Sequence, residues 1–83
     1  MPVKRVAGHR DDDNNLARLG EAIRASRKAA GMSQETFADE AKIDRSHMGK
    51  IERGERNVTF LNLIRIAKAL GQLPSDLLRT AQL

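Results

Sequence analysis

An all-α fold of five short helices packed as one domain is predicted by three features of the 83-residue sequence. Only 2% of the residues are aromatic, Phe37 and Phe60, so the core must be aliphatic. Such a core suits packed helices better than a sandwich or barrel of β-branched and aromatic residues. From residue 16 onward, apolar residues recur at spacings of three and four, the repeat of a helix with one inward face. No segment of four or more residues alternates apolar and polar side chains as a half-buried strand does.

Residues 1–15 lack that repeat. They set Lys4, Arg5 and Arg10 against Asp11, Asp12 and Asp13, and hold few apolar groups to offset the entropy of ordering. They read as a flexible N-terminal tail. A basic arm for a DNA minor groove is the functional version of such a tail, and a loose terminus the simpler one. Residues 16–83 form the helical domain and carry the whole net charge of +4.

The first helix carries Leu16, Leu19, Gly20, Ile23 and Arg27 on one stripe, with Asn14 or Asn15 to cap it and Gly31 to stop it. Ser33 caps a second helix over 34–41, and residues 42–44 make a tight turn. Asp44 caps a third helix reaching about Arg53, closed by Gly54. Thr59 caps a fourth over 60–70, with Phe60, Leu63, Ile64, Ala67 and Leu70 on its apolar side. After Gly71, Pro74 suits the first turn of a fifth helix that runs to about Ala81 and carries Leu77 and Leu78.

Helices two and three form a connected pattern. Ala38 is small where two helices cross closely, Ile43 can plug the angle between them, and Met48 and Ile51 point together into a core. This is the packing of a helix-turn-helix unit. At about 100° per residue, Ser46, Gly49, Lys50 and Arg53 fall within about 50° of the direction opposite Met48 and Ile51. Arg45 leaves the first turn beside them. Alone, such a stripe is better explained as a solvated face. On a helix-turn-helix it fits a major groove, where Arg45 or Lys50 can pair with guanine, Ser46 can meet several base edges, and Gly49 permits close approach.

The segment 33–70, SQETFADEAKIDRSHMGKIERGERNVTFLNLIRIAKAL, resembles the Cro/CI-type (XRE) helix-turn-helix family of bacterial and phage repressors. The run Asp44-Arg45-Ser46 and the Arg-Asn-Val at 56–58 resemble the controller proteins of restriction–modification systems within it. The resemblance implies a five-helix, lambda-repressor-like domain and a transcription regulator that binds a pseudo-palindromic operator in double-stranded DNA. It implies base-reading roles for Arg45, Ser46 and Lys50. Backbone-phosphate roles fall to Gln34, Arg56 and Asn57, and a structural ion pair to Arg27 with Glu52. Arg53 on the stripe and His47 at its edge are expected near phosphates too. Three positions depart from the family pattern: Lys42 stands for the usual turn Gly, Ser26 for a core Leu, and Leu73 for a capping Ser.

One recognition helix covers too few base pairs to specify an address, so a homodimer is expected. Its surface is expected at Leu70, Leu73, Leu77 and Leu78 with Leu83, too many leucines for a short terminal helix to bury alone. Other functions find little support. The absence of Cys excludes a disulfide framework and a thiol nucleophile. His9 and His47 have no second ligand at metal spacing, and no cofactor or small-molecule ligand is expected. Asp44, Ser46 and His47 lie too close on one helix for a catalytic triad. No apolar run approaches the ~18 residues of a membrane span, and a cytoplasmic location is expected. A different class remains: a protein-interaction module, such as an antitoxin or adaptor, on the same fold.

Overall fold

Five helices occupy the chain in the computed structural model, which describes residues 11–83: α1 (Asn15–Ala29), α2 (Gln34–Ala41), α3 (Arg45–Glu52), α4 (Phe60–Ala69) and α5 (Pro74–Thr80). The all-α, five-helix prediction holds. Residues 1–10, the larger part of the expected tail with His9, lie outside the described residues.

Helix starts follow the side chains that accept their free N–H groups. The Ser33 hydroxyl accepts from Thr36 N at 3.0 Å, and that of Thr59 from Asn62 N at 3.2 Å. Helix α1 departs from expectation. Asn14 takes a left-handed conformation, φ 57°, and its side chain caps nothing. The Asp11 carboxylate instead accepts from Asn15 N and Leu16 N, both at 2.8 Å. The ordered domain therefore reaches back to Asp11, into the segment expected to be a tail.

The departures from the family pattern each have a local solution. Lys42 adopts the left-handed conformation that a turn Gly would take, φ 58° and ψ 41°, and its N–H bonds back to Asp39 O at 3.1 Å. A side chain in that region costs about 1 kcal/mol relative to Gly. Ser26 accepts a hydrogen bond from Gln72 Nε2 at 3.2 Å, so a polar link joins α1 to the turn between α4 and α5. Leu73 has no side-chain acceptor to offer α5, but Asp76 accepts from Leu73 N at 3.2 Å and supplies half of a capping box.

Helix α3 packs against α1 and α2, while α5 closes the other side against α1 and α4. Ile23, Phe37, Met48, Ile51, Ile66 and Leu77 are the large, fully buried side chains between them. Ala38 and Ile43 are buried with them, as the helix-turn-helix pattern requires. Helix α1 meets the end of α3 at Gly20, where a Cβ would lie 2.5 Å from the Ile51 carbonyl oxygen. Gly54 then turns the chain at φ 75° against Ala17.

Two expectations about apolar faces are corrected. On α4 the buried side consists of Ile66 and Ala67, flanked by Leu63 and Leu70, whereas Phe60 (71% exposed) and Ile64 face solvent. Leu77, expected at a dimer surface, is 0% exposed within the monomer. It is the residue by which the short α5 anchors itself to the core. Leu70 and Leu78 also pack against that core, and only Leu73 and Leu83 of the C-terminal leucines stand out from it. No helix among the described residues is long and apolar enough to cross a membrane.

Gly20→Ala is expected to destabilise the fold by about 1–3 kcal/mol, because backbone separation outweighs the gain in helix propensity. A fall in the urea midpoint at unchanged m-value checks this. An unchanged or raised midpoint would show that α1 can withdraw from α3 without loss.

Candidate nucleic-acid interface

Helix α3 is fixed from beneath by a charged network. Glu52 is buried and receives Arg27 in bidentate fashion, Nε at 2.8 Å and Nη2 at 3.0 Å. Arg27 Nη1 also donates to Met32 O at 3.0 Å, and Gln34 Nε2 to Glu52 Oε1 at 3.2 Å. Hydrogen bonding to Glu52 raises the Arg27 pKa above its ordinary value, against the opposing effect of burial. The expected ion pair is thus joined by Gln34, which reaches from the first turn of α2 to the last turn of α3.

The same side chain corrects the reading of Gly49. Helical arithmetic places Gly49 on the outer stripe, but it is buried, and a Cβ there would lie 3.3 Å from Gln34 Oε1 and 3.2 Å from Arg53 Nη1. Gly49 makes room for two overlying side chains of the protein, not for a base edge.

The remaining outer residues are exposed or half-buried, and several are held by weak partners. Arg45 Nη1 lies 3.6 Å from Glu35 Oε2, with both side chains about two-thirds exposed. Arg53 Nε donates to Glu55 Oε2 at 2.8 Å, which raises the Arg53 pKa and lowers that of Glu55. Ser46 Oγ donates to Asp44 Oδ2 at 2.6 Å, and the same oxygen accepts the longer bond from His47 N at 3.4 Å. These bonds, the hydroxyl's first, hold the Asp44 carboxyl below its ordinary pKa. Ser46 therefore donates to the cap residue, an arrangement with no triad geometry. Such exposed pairs contribute little to stability, so a competing anion can displace them.

Lys42, Asp44, Ser46, His47, Lys50, Arg56 and Asn62 line an open polar groove between the turn, α3 and the start of α4, with Ile43 at its floor. Ser46, His47, Lys50 and Arg56 thus share one groove, and Arg45 is exposed beside Ser46 on the first turn of α3. Asn57 is exposed in the adjoining loop. The sequence reading missed Lys42, Asn62 and Glu35 as members of this surface. Asn62 had a local signal, a polar residue in the first turn of an otherwise apolar helix. Glu35 had none, since its approach to Arg45 depends on how α2 and α3 cross.

Residues 23–78 match the helix-turn-helix family model. The control protein C.BamHI of Bacillus amyloliquefaciens is 45% identical over 67 residues, covering 78% of this chain and 83% of the relative. Among solved structures, the restriction–modification controller protein C.AhdI of Aeromonas hydrophila superposes with a TM-score of 0.75 at 43% identity, covering 76% of this chain and 96% of that one. The controller protein C.Esp1396I, solved as a tetramer in complex with its natural 35 base-pair operator, gives a TM-score of 0.76 at 29% identity, covering 82% of this chain and 90% of that one.

Glu52→Ala strands the Arg27 guanidinium in the interior and is expected to cost roughly 3–5 kcal/mol in unfolding free energy. Gln34→Ala leaves the bidentate pair intact and should cost much less. Urea unfolding of both variants checks the order, and equal losses would mean that the pair does not anchor α3.

Proposed function

Because the chain belongs to the helix-turn-helix family, in its XRE-type form, we propose that it is a transcription regulator that reads double-stranded DNA by laying α3 in the major groove. One observation carries this reading: α3 commits Met48, Ile51 and Glu52 to the interior while Arg45 stays exposed on its first turn and Lys50 lines an open polar groove. Arg45 and Lys50 are the base readers, able to meet guanine O6 and N7. Ser46 presents its hydroxyl oxygen as an acceptor while its proton remains with Asp44. Arg56, Asn57, His47 and Arg53 meet phosphates, and Gln34 steadies α3 through Glu52. The relatives named as restriction–modification control proteins support the same role here, control of such a gene set.

A second copy of this chain is the partner that completes the address. The surface for it is the outer side of α4 with the start of α5: Phe60, Leu61 (63% exposed), Ile64 and Leu73 (65% exposed). None of these large apolar side chains lines the basic groove, so self-association through them leaves α3 free. Two-fold pairing sets two recognition helices about 34–36 Å apart, one turn of DNA. An antitoxin or adaptor would need an apolar anchor on the outer side of α3, and that side offers none.

Selection from a random duplex pool should yield a dyad-symmetric operator. Arg45→Ala is expected to lose about 1–3 kcal/mol of discrimination at one base pair of each half-site while keeping the fold. Undiminished selectivity in a mobility-shift assay would remove Arg45 from base reading. Leu61→Glu is expected to keep the helical circular dichroism, sediment as a monomer and bind the operator about 100-fold more weakly. A variant that still sediments as a dimer would move the interface elsewhere.

A further inference from the structure

Lys42 combines a strained backbone with a position the recognition helix does not explain. It holds the left-handed conformation at φ 58°, which Gly adopts without strain and a long side chain does not. Nothing in the turn itself needs a lysine, since its backbone N–H makes the hydrogen bonds to Ala38 O and Asp39 O. Strain retained at a surface residue points to a use for its side chain.

The surroundings indicate the use. Lys42 forms the ridge between two grooves. On one side the polar groove holds His47, Lys50 and Arg56, and on the other a second groove holds Arg65 and Lys68. Basic side chains therefore continue across the turn from α3 to Arg65 and Lys68, which line the groove between α2 and α4, with Lys42 as the bridge. The carboxylate nearest in sequence within the polar groove, Asp44, is committed to the Ser46 hydroxyl and the His47 N–H. Glu40 is the one acidic residue lining the second groove.

We propose that Lys42 is a DNA-backbone contact, placed by the left-handed turn to meet a phosphate beside the major groove entered by α3. The contact exchanges fold stability for affinity, and carries no base preference because an ammonium group meets phosphate as a point charge. It rests on the DNA-binding reading of α3 and adds to it a residue outside the recognition helix.

The full chain and its Lys42→Gly, Lys42→Asn and Lys42→Arg variants separate the possibilities, each titrated against the selected operator and a random-sequence duplex of equal length over a range of salt. Lys42→Gly and Lys42→Asn keep a residue suited to the left-handed turn but remove the charge. Both are expected to bind either duplex about fivefold to tenfold more weakly near 0.1 M salt, with the log–log salt slope smaller by about one unit. Lys42→Arg should keep the parental slope. Lys42→Gly should also melt at a higher temperature than the parent, a gain that no merely structural lysine would combine with weaker binding. A parental slope in Lys42→Gly overturns the proposal, as does a loss confined to the operator. A parent that selects no operator from the random pool overturns the reading of α3 instead, and one that binds neither duplex overturns both.

Discussion

The Glu52 carboxylate is the point at which three helices are made to agree. Arg27 reaches it from α1, Gln34 from α2, and Glu52 itself closes α3. A buried carboxylate demands partners, because an uncompensated charge is far costlier than a lost apolar contact. Its neighbours can supply them only when the last turn of α3 lies against Gly20 and beneath Gln34. Direction follows from that demand. Once Glu52, Met48 and Ile51 face inward, helical geometry sends Arg45, Ser46 and Lys50 to the outside, with no freedom to roll. The outer face is specified by what lies beneath it.

The outer face is also poised for exchange. Arg45 is met by Glu35 and Arg53 by Glu55. Each pair is solvated, so displacing one loses little. A phosphate offers an anionic acceptor whose counterions are released on binding, and guanine offers two acceptors in the geometry of the arginine fork. Glu35 and Glu55 oppose any weak encounter that fails to displace them, which favours sites where arginine finds a bidentate partner. Local neutralisation of this kind suits a regulator that must leave most DNA unoccupied.

Much of this was readable in the sequence because it is local. Ser33, Thr59 and Asp44 cap the helices that follow them, and Ala38, Ile43, Met48 and Ile51 occupy the core positions assigned by spacing. The failures share one cause, contacts between residues distant along the chain. Angular arithmetic on α3 cannot register Gln34, which lies over Gly49 from another helix. It treats Leu77 and Leu73 alike, though one fills the gap between α1 and α4 and the other ends in solvent. On α4, Phe60 and Ile64 belong to an apolar sector wider than the monomer can bury, and periodicity alone does not say which edge stays out. The cap of α1 is a local exception: Asn14 or Asn15 suits that position, yet Asp11 takes the role from across a turn.

The surplus apolar edge of α4 bears on how the protein would act in a cell. A monomer that leaves Phe60, Leu61, Ile64 and Leu73 in water has unspent hydrophobic free energy, about 25 cal/mol for each Å² that association covers. Spending it on a second copy makes the DNA-competent species depend on the square of protein concentration at low abundance. Operator occupancy then rises more steeply than the amount of protein, without any ligand-driven conformational change. With the proposed interface on α4, pairing and DNA reading are thereby coupled through protein concentration.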